Sequence, residues 1–521
     1  MNSPDSSTDS HASERGKPLI LLAVCMAAIV LPLSFTGGAV STPAIGRDLG
    51  GSAVSLTWIT NAFMLSFGSL LMAAGALADV YGRKRLFSIG IGFFVLTSLA
   101  LAAAPSVAWL DILRAVQGVA AAAALSGGSA ALAQEFEGHA RTRAFSMLGT
   151  SFGIGLAFGP LLGGVLIDAF GWPSVFLSTA LIGAAAMLFG VPRMRETRDP
   201  NAQGLDWPGT ISFTATLVLF TFAVIQAPES GWFSALVASS LAASALMLAI
   251  FIYVESRSAR PMLDLSLFRI PRFVGVQMLP IGTCYSYIVL VVMLPLRFIG
   301  IEGMSEIDAG VLMIALSAPM LVVPVLVATL TRWVSAGVLS GIGFLIAAVG
   351  LHWFSQIDVG AAGFAVVPPM LLIGIGAGMP WGLMDGLAVS VVPKERAGMA
   401  TGIFNTTRVA GEGIALATVS AVLAAIAQVS LSAVLAEAGS TAGKLSEAAQ
   451  RLATGDLAHA AEALPQVSHQ LLVAGYGDAF RMLLHVLTVI TVLSAVAVFG
   501  FLSRTPQQAS ASATEELGSN A

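Results

Sequence analysis

Charge is what this chain has least of. Asp, Glu, Lys and Arg make up 10% of its 521 residues and hydrophobic residues 56%, for a mean hydropathy of +0.86. A soluble domain carries about 25% charged residues, so a soluble globular protein is excluded. Cysteine is almost missing too. Cys25 and Cys284 each lie inside an apolar run, which argues for buried small hydrophobes and against a disulfide framework or thiolate metal site. The six histidines are scattered and no Gly-x-x-x-x-Gly-Lys-Ser/Thr loop occurs, so no metal, no cofactor and no ATP are expected, and no catalytic domain is seen. With a formal charge of -4 and no basic stripe, nucleic acid is excluded as a partner.

What fills the chain is apolar segments of about 20 residues, the length a helix needs to cross a bilayer. Fourteen are expected, from one beginning near Leu19 to one beginning near Met482. The polar stretch 1–18, expected to be disordered and cytoplasmic, precedes the first, which reads as an uncleaved helix because its apolar run continues toward Pro43 and many similar segments follow. An even count puts both termini on one side. The loops on that side hold Arg83, Lys84, Arg85, Arg193, Arg195, Arg257, Arg269, Arg332 and Lys394, whereas the other side has only Arg47, Arg297, Lys444, Arg451 and Arg481. By the positive-inside rule both termini are cytoplasmic, and a multi-pass protein of the cell inner membrane is expected. One outer connection, about 429–479, is long. Its "LSAVLAEAGSTAGKLSEAAQRLATGDLAHAAEAL" reads as one or two amphipathic helices, either a cap over the bundle or a partner-binding surface. The tail 503–521 has the composition of a disordered segment.

The loop after the second segment is "GALADVYGRKRLF". Small residues there let helix ends approach, Asp79 is free to cap or pair, and the basic trio from Arg83 suits anionic headgroups. The order of Gly75, Asp79, Gly82, Arg83 and Lys84 closely resembles the loop signature of the major facilitator superfamily. "RAVQG", Arg114 to Gly118, resembles the fourth-helix motif of its proton-coupled members. "GIGLAFGPLLGG", with Gly155, Gly159, Pro160, Gly163 and Gly164, resembles the fifth-helix antiporter motif, where glycine and proline permit close packing and bending. "LDWPG", "ESGW", "RPMLDLSLF", "VPKERAGMATGIFNTTR" and "GYGDAFRMLL" are similar to segments of the fourteen-helix drug:proton antiporters. The resemblance implies an all-α major facilitator fold: a six-helix half over 19–192, two extra transmembrane helices over 205–256, and a second six-helix half over 271–502. It further implies alternating access, with substrate and proton sites near the midplane between the halves.

The chain departs from that pattern at instructive places. Ser34 stands where the family has a first-helix acid, Ala39 replaces an asparagine, and Pro173 replaces the arginine after the fifth helix. A charge at a helix centre costs roughly 2.5–3.5 kcal/mol, so each one inside a span needs a reason. Asp111 and Arg114 share a helix face. Asp111 either supplies the countercharge that Ser34 cannot, or tethers the helix in the outer interface. Arg408 and Glu412, four apart, are either a structural salt bridge or a pair in which Glu412 changes protonation during the cycle. Trp381 and Asp385, also four apart in a Gly- and Pro-rich span, suit a lipophilic cation. Gln117, Tyr285 and Tyr287 complete the candidate substrate pocket, and Asp111, Asp385 and Glu412 are the candidate proton carriers.

The expected activity is proton-coupled efflux of small amphipathic or lipophilic compounds by a monomer in the lipid bilayer, with protons and a small-molecule substrate as its only partners. The alternatives are an exporter or facilitator of one metabolite, siderophore or sugar, and, more distantly, a membrane receptor or embedded enzyme. The last is disfavoured because the intramembrane polar residues spread over both halves.

Overall fold

In a bilayer every backbone N–H and C=O must be satisfied inside the protein, and a helix does this within one segment. The computed structural model describes residues 6–136, 138–198, 206–258, 263, 265–361, 363–392, 397–435 and 442–502, and among them it is helical with no strand. The first half is α1 (Lys17–Leu49), α2 (Ala53–Tyr81), α3 (Arg83–Ala102), α4 (Val107–Glu135), α5 and α6 (Pro173–Gly190). Helix α5 bends by 42° between Met147–Leu156 and Phe158–Phe170. Two inserted helices follow, α7 (Trp207–Ala227) and α8 (Ala235–Arg257). The second half is α9 (Pro271–Ile301), α10 (Glu306–Leu330), α11 (Ala336–Ser355), α12 (Gly363–Ala388), α13 (Ala397–Leu435) and α14 (His469–Leu502). With the bent α5 as one span, fourteen helices of the described residues are long and apolar enough to cross a membrane.

Side-chain caps make the short connections possible. Ser52, Asp206, Ser234, Ser305 and Ser335 each accept a hydrogen bond from an otherwise orphaned N–H in the first turn of α2, α7, α8, α10 and α11.

The packing repeats with an offset of eight helices. In the first half α2 and α3 lie on α4, and α1 and α3 on α6; in the second, α10 and α11 lie on α12, and α9 and α11 on α14. The halves meet through α2 against α13 and α5 against α10, which are equivalent contacts under the same offset. Helices α7 and α8 pack on each other, and α7 rests on α2 and α13 at the rim.

The chain differs from the sequence-based expectation at the long loop. Helix α13 runs on to Leu435 and α14 starts at His469, thirteen residues before the expected Met482, so the connection is shorter than 429–479. Two short helices, Ala442–Ala453 and Leu457–Ala463, occupy it. Alanines and leucines such as Ala448, Ala449, Leu452 and Leu457 are buried, so the amphipathic pattern covers protein: the loop is a cap. At the N-terminus the expected disorder of 1–18 is not found from Ser6 on, because the first helix extends back to Ser6, while 1–5 and the tail 503–521 fall outside the described residues.

The bundle is sealed at the cap end. Arg47 of α1 bridges to Glu306 of α10 at 2.7 Å, and Gly310 of α10 lies flat against Leu161 of α5. Arg451 of the cap donates to the carbonyl of Gly51 across the halves at 2.7 Å. Toward the other end, where Lys17 and Leu502 lie, a methyl group added at Gly75, Gly149, Gly386 or Gly402 would meet nothing within 4 Å.

Candidate functional site

Arg114 of α4 is fully buried, with 0% of its surface exposed. Its Nε donates to the Ile59 carbonyl at 2.8 Å, and its Nη1 donates to Gln117 Oε1 at 2.7 Å and Ser34 Oγ at 3.0 Å. The guanidinium carbon lies 4.3 Å from the centre of the Phe63 ring. Gln117 continues the network, donating through Nε2 to Ser98 Oγ at 2.7 Å. No carboxylate comes within 4.0 Å of Arg114 among the described residues. Hydrogen bonds to a charged group are worth about 1.5–3 kcal/mol each, so three neutral acceptors and an aromatic face offset the roughly 3 kcal/mol of placing the cation there.

Asp111 and Arg114 therefore form no ion pair within 4.0 Å, although the two charges act on each other through space. Asp111 sits in the second turn of α4, half-buried, with Oδ1 unpartnered, and the place nearest Arg114 is taken by Ser34. Arg114 reaches inward to Ile59 of α2 and Ser34 of α1, where two of its three acceptors lie. Asp111→Asn is accordingly expected to leave transport within about twofold. Ser34→Asp is expected to give Arg114 an ion pair without loss of folding, seen as an unchanged or higher melting temperature in detergent. A strong transport defect in Asp111→Asn would restore the cis-partner role.

The second half holds a looser constellation. Arg408 of α13 is buried, and its Nη1 approaches Asp385 Oδ1 of α12 at 3.4 Å. The ring centres of Phe152, Trp381 and Phe404 lie 5.4, 5.8 and 5.8 Å from its guanidinium carbon. Arg408 thus touches α5 of the other half, and its Nε has no partner. The expected Arg408–Glu412 salt bridge is not formed: no ion pair joins them within 4.0 Å. Glu412 is buried, with Oε1 unpartnered. Asp385, by contrast, keeps 53% of its side chain exposed, three residues from the end of the α12 span at Ala388 and next to the open positions at Gly386 and Gly402. A carboxylate half-exposed there faces the end of the bundle that carries the termini.

Of the other pocket candidates, Trp381 joins this group. Tyr285 is half-buried in α9, Tyr287 is fully enclosed, and Gln117 is committed to Arg114 and Ser98. In this conformation neither Tyr287 nor Gln117 joins the group. The backbone of α9 is π-helical over Cys284–Ile288 and Leu296–Ile301, the kind of irregularity tolerated where helices line a path. Cys284, in the first stretch, has its Sγ 3.9 Å from the Arg408 carbonyl.

In the signature loop, Asp79 pairs with Arg83 at 2.7 Å, within its own turn. Gly82 adopts φ +115°, which only glycine takes readily. A Cβ there would run into the Glu196 carboxylate, which accepts from the Arg85 N–H at 3.1 Å, while the Arg83 N–H bonds the Thr197 carbonyl at 2.9 Å. The chain after α6 thus clasps the loop. Lys84 is half-buried and forms no ion pair within 4.0 Å among the described residues. In α5, Gly155, Gly159 and Gly163 face α1 at Ile29, Thr36 and Gly37, while Gly164 meets the Glu306 backbone and the Pro160 carbonyl faces Gly310. The antiporter-like motif packs α5 on α1 within the first half and against α10 of the second.

Sequence reasoning missed three residues. Arg297, counted as an outer-loop charge, is 1% exposed and paired with Glu302 at 2.7 Å between the Phe354 and Phe480 rings. The signal was its place in the unbroken apolar run "VVMLPLRFIGI". Gln277 is buried in α9 with neither amide atom partnered, two turns before Cys284 and hence on the same face. Glu196 was hidden in a charged linker that looked like topology alone.

Two pseudo-equivalent helical halves with a buried arginine at their junction are the architecture of a transporter. The chain belongs to the major facilitator superfamily, whose model matches residues 22–416. It is similar to "Multidrug resistance protein Stp" of Mycobacterium tuberculosis, 31% identical over 390 residues, covering 74% of this chain and 72% of that protein. It is also similar to "Cephamycin export protein CmcT" of Amycolatopsis lactamdurans, 35% identical over 76% of this chain and 83% of that one, and to the "Tetracenomycin C resistance and export protein" of Streptomyces glaucescens, at 29% over 79% and 77%. Among solved structures it resembles a bacterial homologue of the lysosomal transporter Spinster, described as inward-facing and unoccupied. The TM-score is 0.62, with 94% of this chain and 99% of that one covered, at 15% identity, a likeness of fold.

Proposed function

We propose that this protein exports small amphipathic or lipophilic compounds in exchange for protons. The supporting observation is the trio of Asp385, Arg408 and Glu412 under Trp381: an exposed carboxylate, a cation held at the junction of the halves, and a buried carboxylate one turn beyond it with an unpartnered oxygen. A cationic or donor-bearing molecule entering a cleft beside them competes with Arg408 for Asp385. Released from Asp385, Arg408 swings toward Glu412, four residues along the same face, and favours its ionised form, so a proton leaves as substrate binds. That competition is the minimum that antiport requires.

With Arg83, Arg193, Arg257 and Arg332 on the open end, the positive-inside rule makes that end cytoplasmic in the inner membrane, and the conformation is open to the cytoplasm. A reporter fused after Arg504 is expected to read as cytoplasmic, and one placed near Gly455 as external. An external signal from the first would overturn the orientation. Export of a lipophilic dye such as ethidium from intact cells is expected to need the chain and to collapse with an uncoupler; dye movement indifferent to the uncoupler would point to a facilitator. The names of the cephamycin and tetracenomycin relatives favour, as a second reading, one natural product as the main cargo. A competition series with such compounds decides breadth. A monomer is sufficient for every step.

A further inference from the structure

Beyond Glu412 the same face of α13 carries Leu416 and Ser420, and these line a small pocket between the halves on the cap side. Thr42 of α1, Thr57, Thr60 and Asn61 of α2, and Thr454 of the cap complete its polar lining. No charged residue touches it. The pocket lies on the line from the Arg408 cleft to the outside and draws walls from both halves, so it must widen when the cap end parts. Its roof is held by Arg451, which bonds Gly51 across the halves and Asp456 at 3.2 Å.

Four donors in this lining are spent. Thr42 Oγ1 gives its proton to the Gly38 carbonyl at 3.1 Å and Thr57 Oγ1 to the Ala53 carbonyl at 2.9 Å. Thr454 Oγ1 gives its proton to the Arg451 carbonyl at 3.0 Å, and Asn61 Nδ2 donates to the Thr57 carbonyl at 3.0 Å. The hydroxyls of Thr60 and Ser420 stay adaptable, and the spent groups offer acceptors alone: hydroxyl lone pairs and Asn61 Oδ1, which has no partner although Asn61 is only 2% exposed. A buried acceptor without a donor is unfavourable, and it is relieved by water or by a ligand N–H or O–H when the halves separate.

We propose that this pocket is an outer release site that reads hydrogen-bond donors on the exported molecule, namely amines, amides and hydroxyls, and not its charge. The inference rests on the export function proposed above and deepens it: charge is sensed at Asp385, donor groups at Asn61. The two cargo probes are ethidium, a cation with two aryl amines, and tetraphenylphosphonium, a cation with no donor. In proteoliposomes of the full chain, Asn61→Leu is expected to slow ethidium about fivefold, the worth of one hydrogen bond, and to leave tetraphenylphosphonium within about twofold. Asn61→Gln is expected to recover part of the ethidium rate. Thr60→Val offers the same contrast if Asn61→Leu does not fold. Equal slowing of both cations, or none, would overturn the release site while the export function stands. A wild-type chain that moves neither cation overturns both.

Discussion

Glu412→Gln is expected to abolish uphill, proton-driven transport while substrate binding stays measurable. The substitution keeps the shape of the side chain and removes the only titrating group buried on the α13 face beside Arg408. Uphill work needs the proton: one charge crossing 100 mV releases about 2.3 kcal/mol, which sustains roughly a fiftyfold concentration ratio at about 1.4 kcal/mol per decade. Without it the cycle can only equilibrate substrate. Accumulation in proteoliposomes with an imposed pH gradient should therefore fall from tens-fold to about unity, with binding read by quenching of the tryptophans, among them Trp381. Full accumulation in Glu412→Gln would move the coupling group elsewhere.

The second large effect is expected at Asp385. Its side chain is the exposed carboxylate of the cleft, 3.4 Å from Arg408 and one turn from Trp381. Asp385→Asn removes the negative charge a lipophilic cation meets and leaves Arg408 without an ionic partner among the described residues. A charge-assisted contact is worth about 1.5–3 kcal/mol, so cation affinity should drop roughly tenfold to a hundredfold. A neutral compound of similar shape, bound by Trp381 and the Phe152 and Phe404 rings, should lose less than about threefold. Paired titrations of tetraphenylphosphonium and a neutral aromatic measure the contrast. Equal losses for both would make Asp385 a structural partner of Arg408 and nothing more.

Much of the fold was legible because a bilayer leaves few choices. Apolar runs of span length, with basic residues alternating between loops, give the helix count and orientation without tertiary information. Motif order gives the family. The site was legible only as a set of residue types. Spacing placed Arg408 with Glu412 and Arg114 with Asp111, because helical periodicity reports neighbours on one helix. The structure pairs Arg408 with Asp385 across α12 and α13 and gives Arg114 to Ser34, Ile59 and Gln117. Those partners are set by how α1, α2 and α4 pack, which periodicity does not encode. The replacement of an acid by Ser34 did carry information, since it forecast that the Arg114 site has no first-helix carboxylate. Arg297 misled for the opposite reason: an arginine at a helix end looks like an anchor, and only the π-helical continuation of α9 brings it and Glu302 inside.

The sealed cap end and the open opposite end also fix what the cycle must break. Opening outward requires loss of the Arg47–Glu306 bridge, separation of Gly310 from Leu161, and release of Arg451 from Gly51. Closing inward must bring the Asp79–Arg83 turn against the second half. The glycines of α5 let it pack closely on α1 in its own half and on α10 of the other.

Proton movement itself tests the central claim most directly. Proteoliposomes loaded with a pH-sensitive dye and clamped at zero membrane potential receive an exported cation from outside, on the face from which it is carried inward. The account predicts lumenal alkalinisation that depends on substrate, saturates with it, and disappears in Glu412→Gln. Substrate uptake by the wild-type protein with no change in lumenal pH would contradict it.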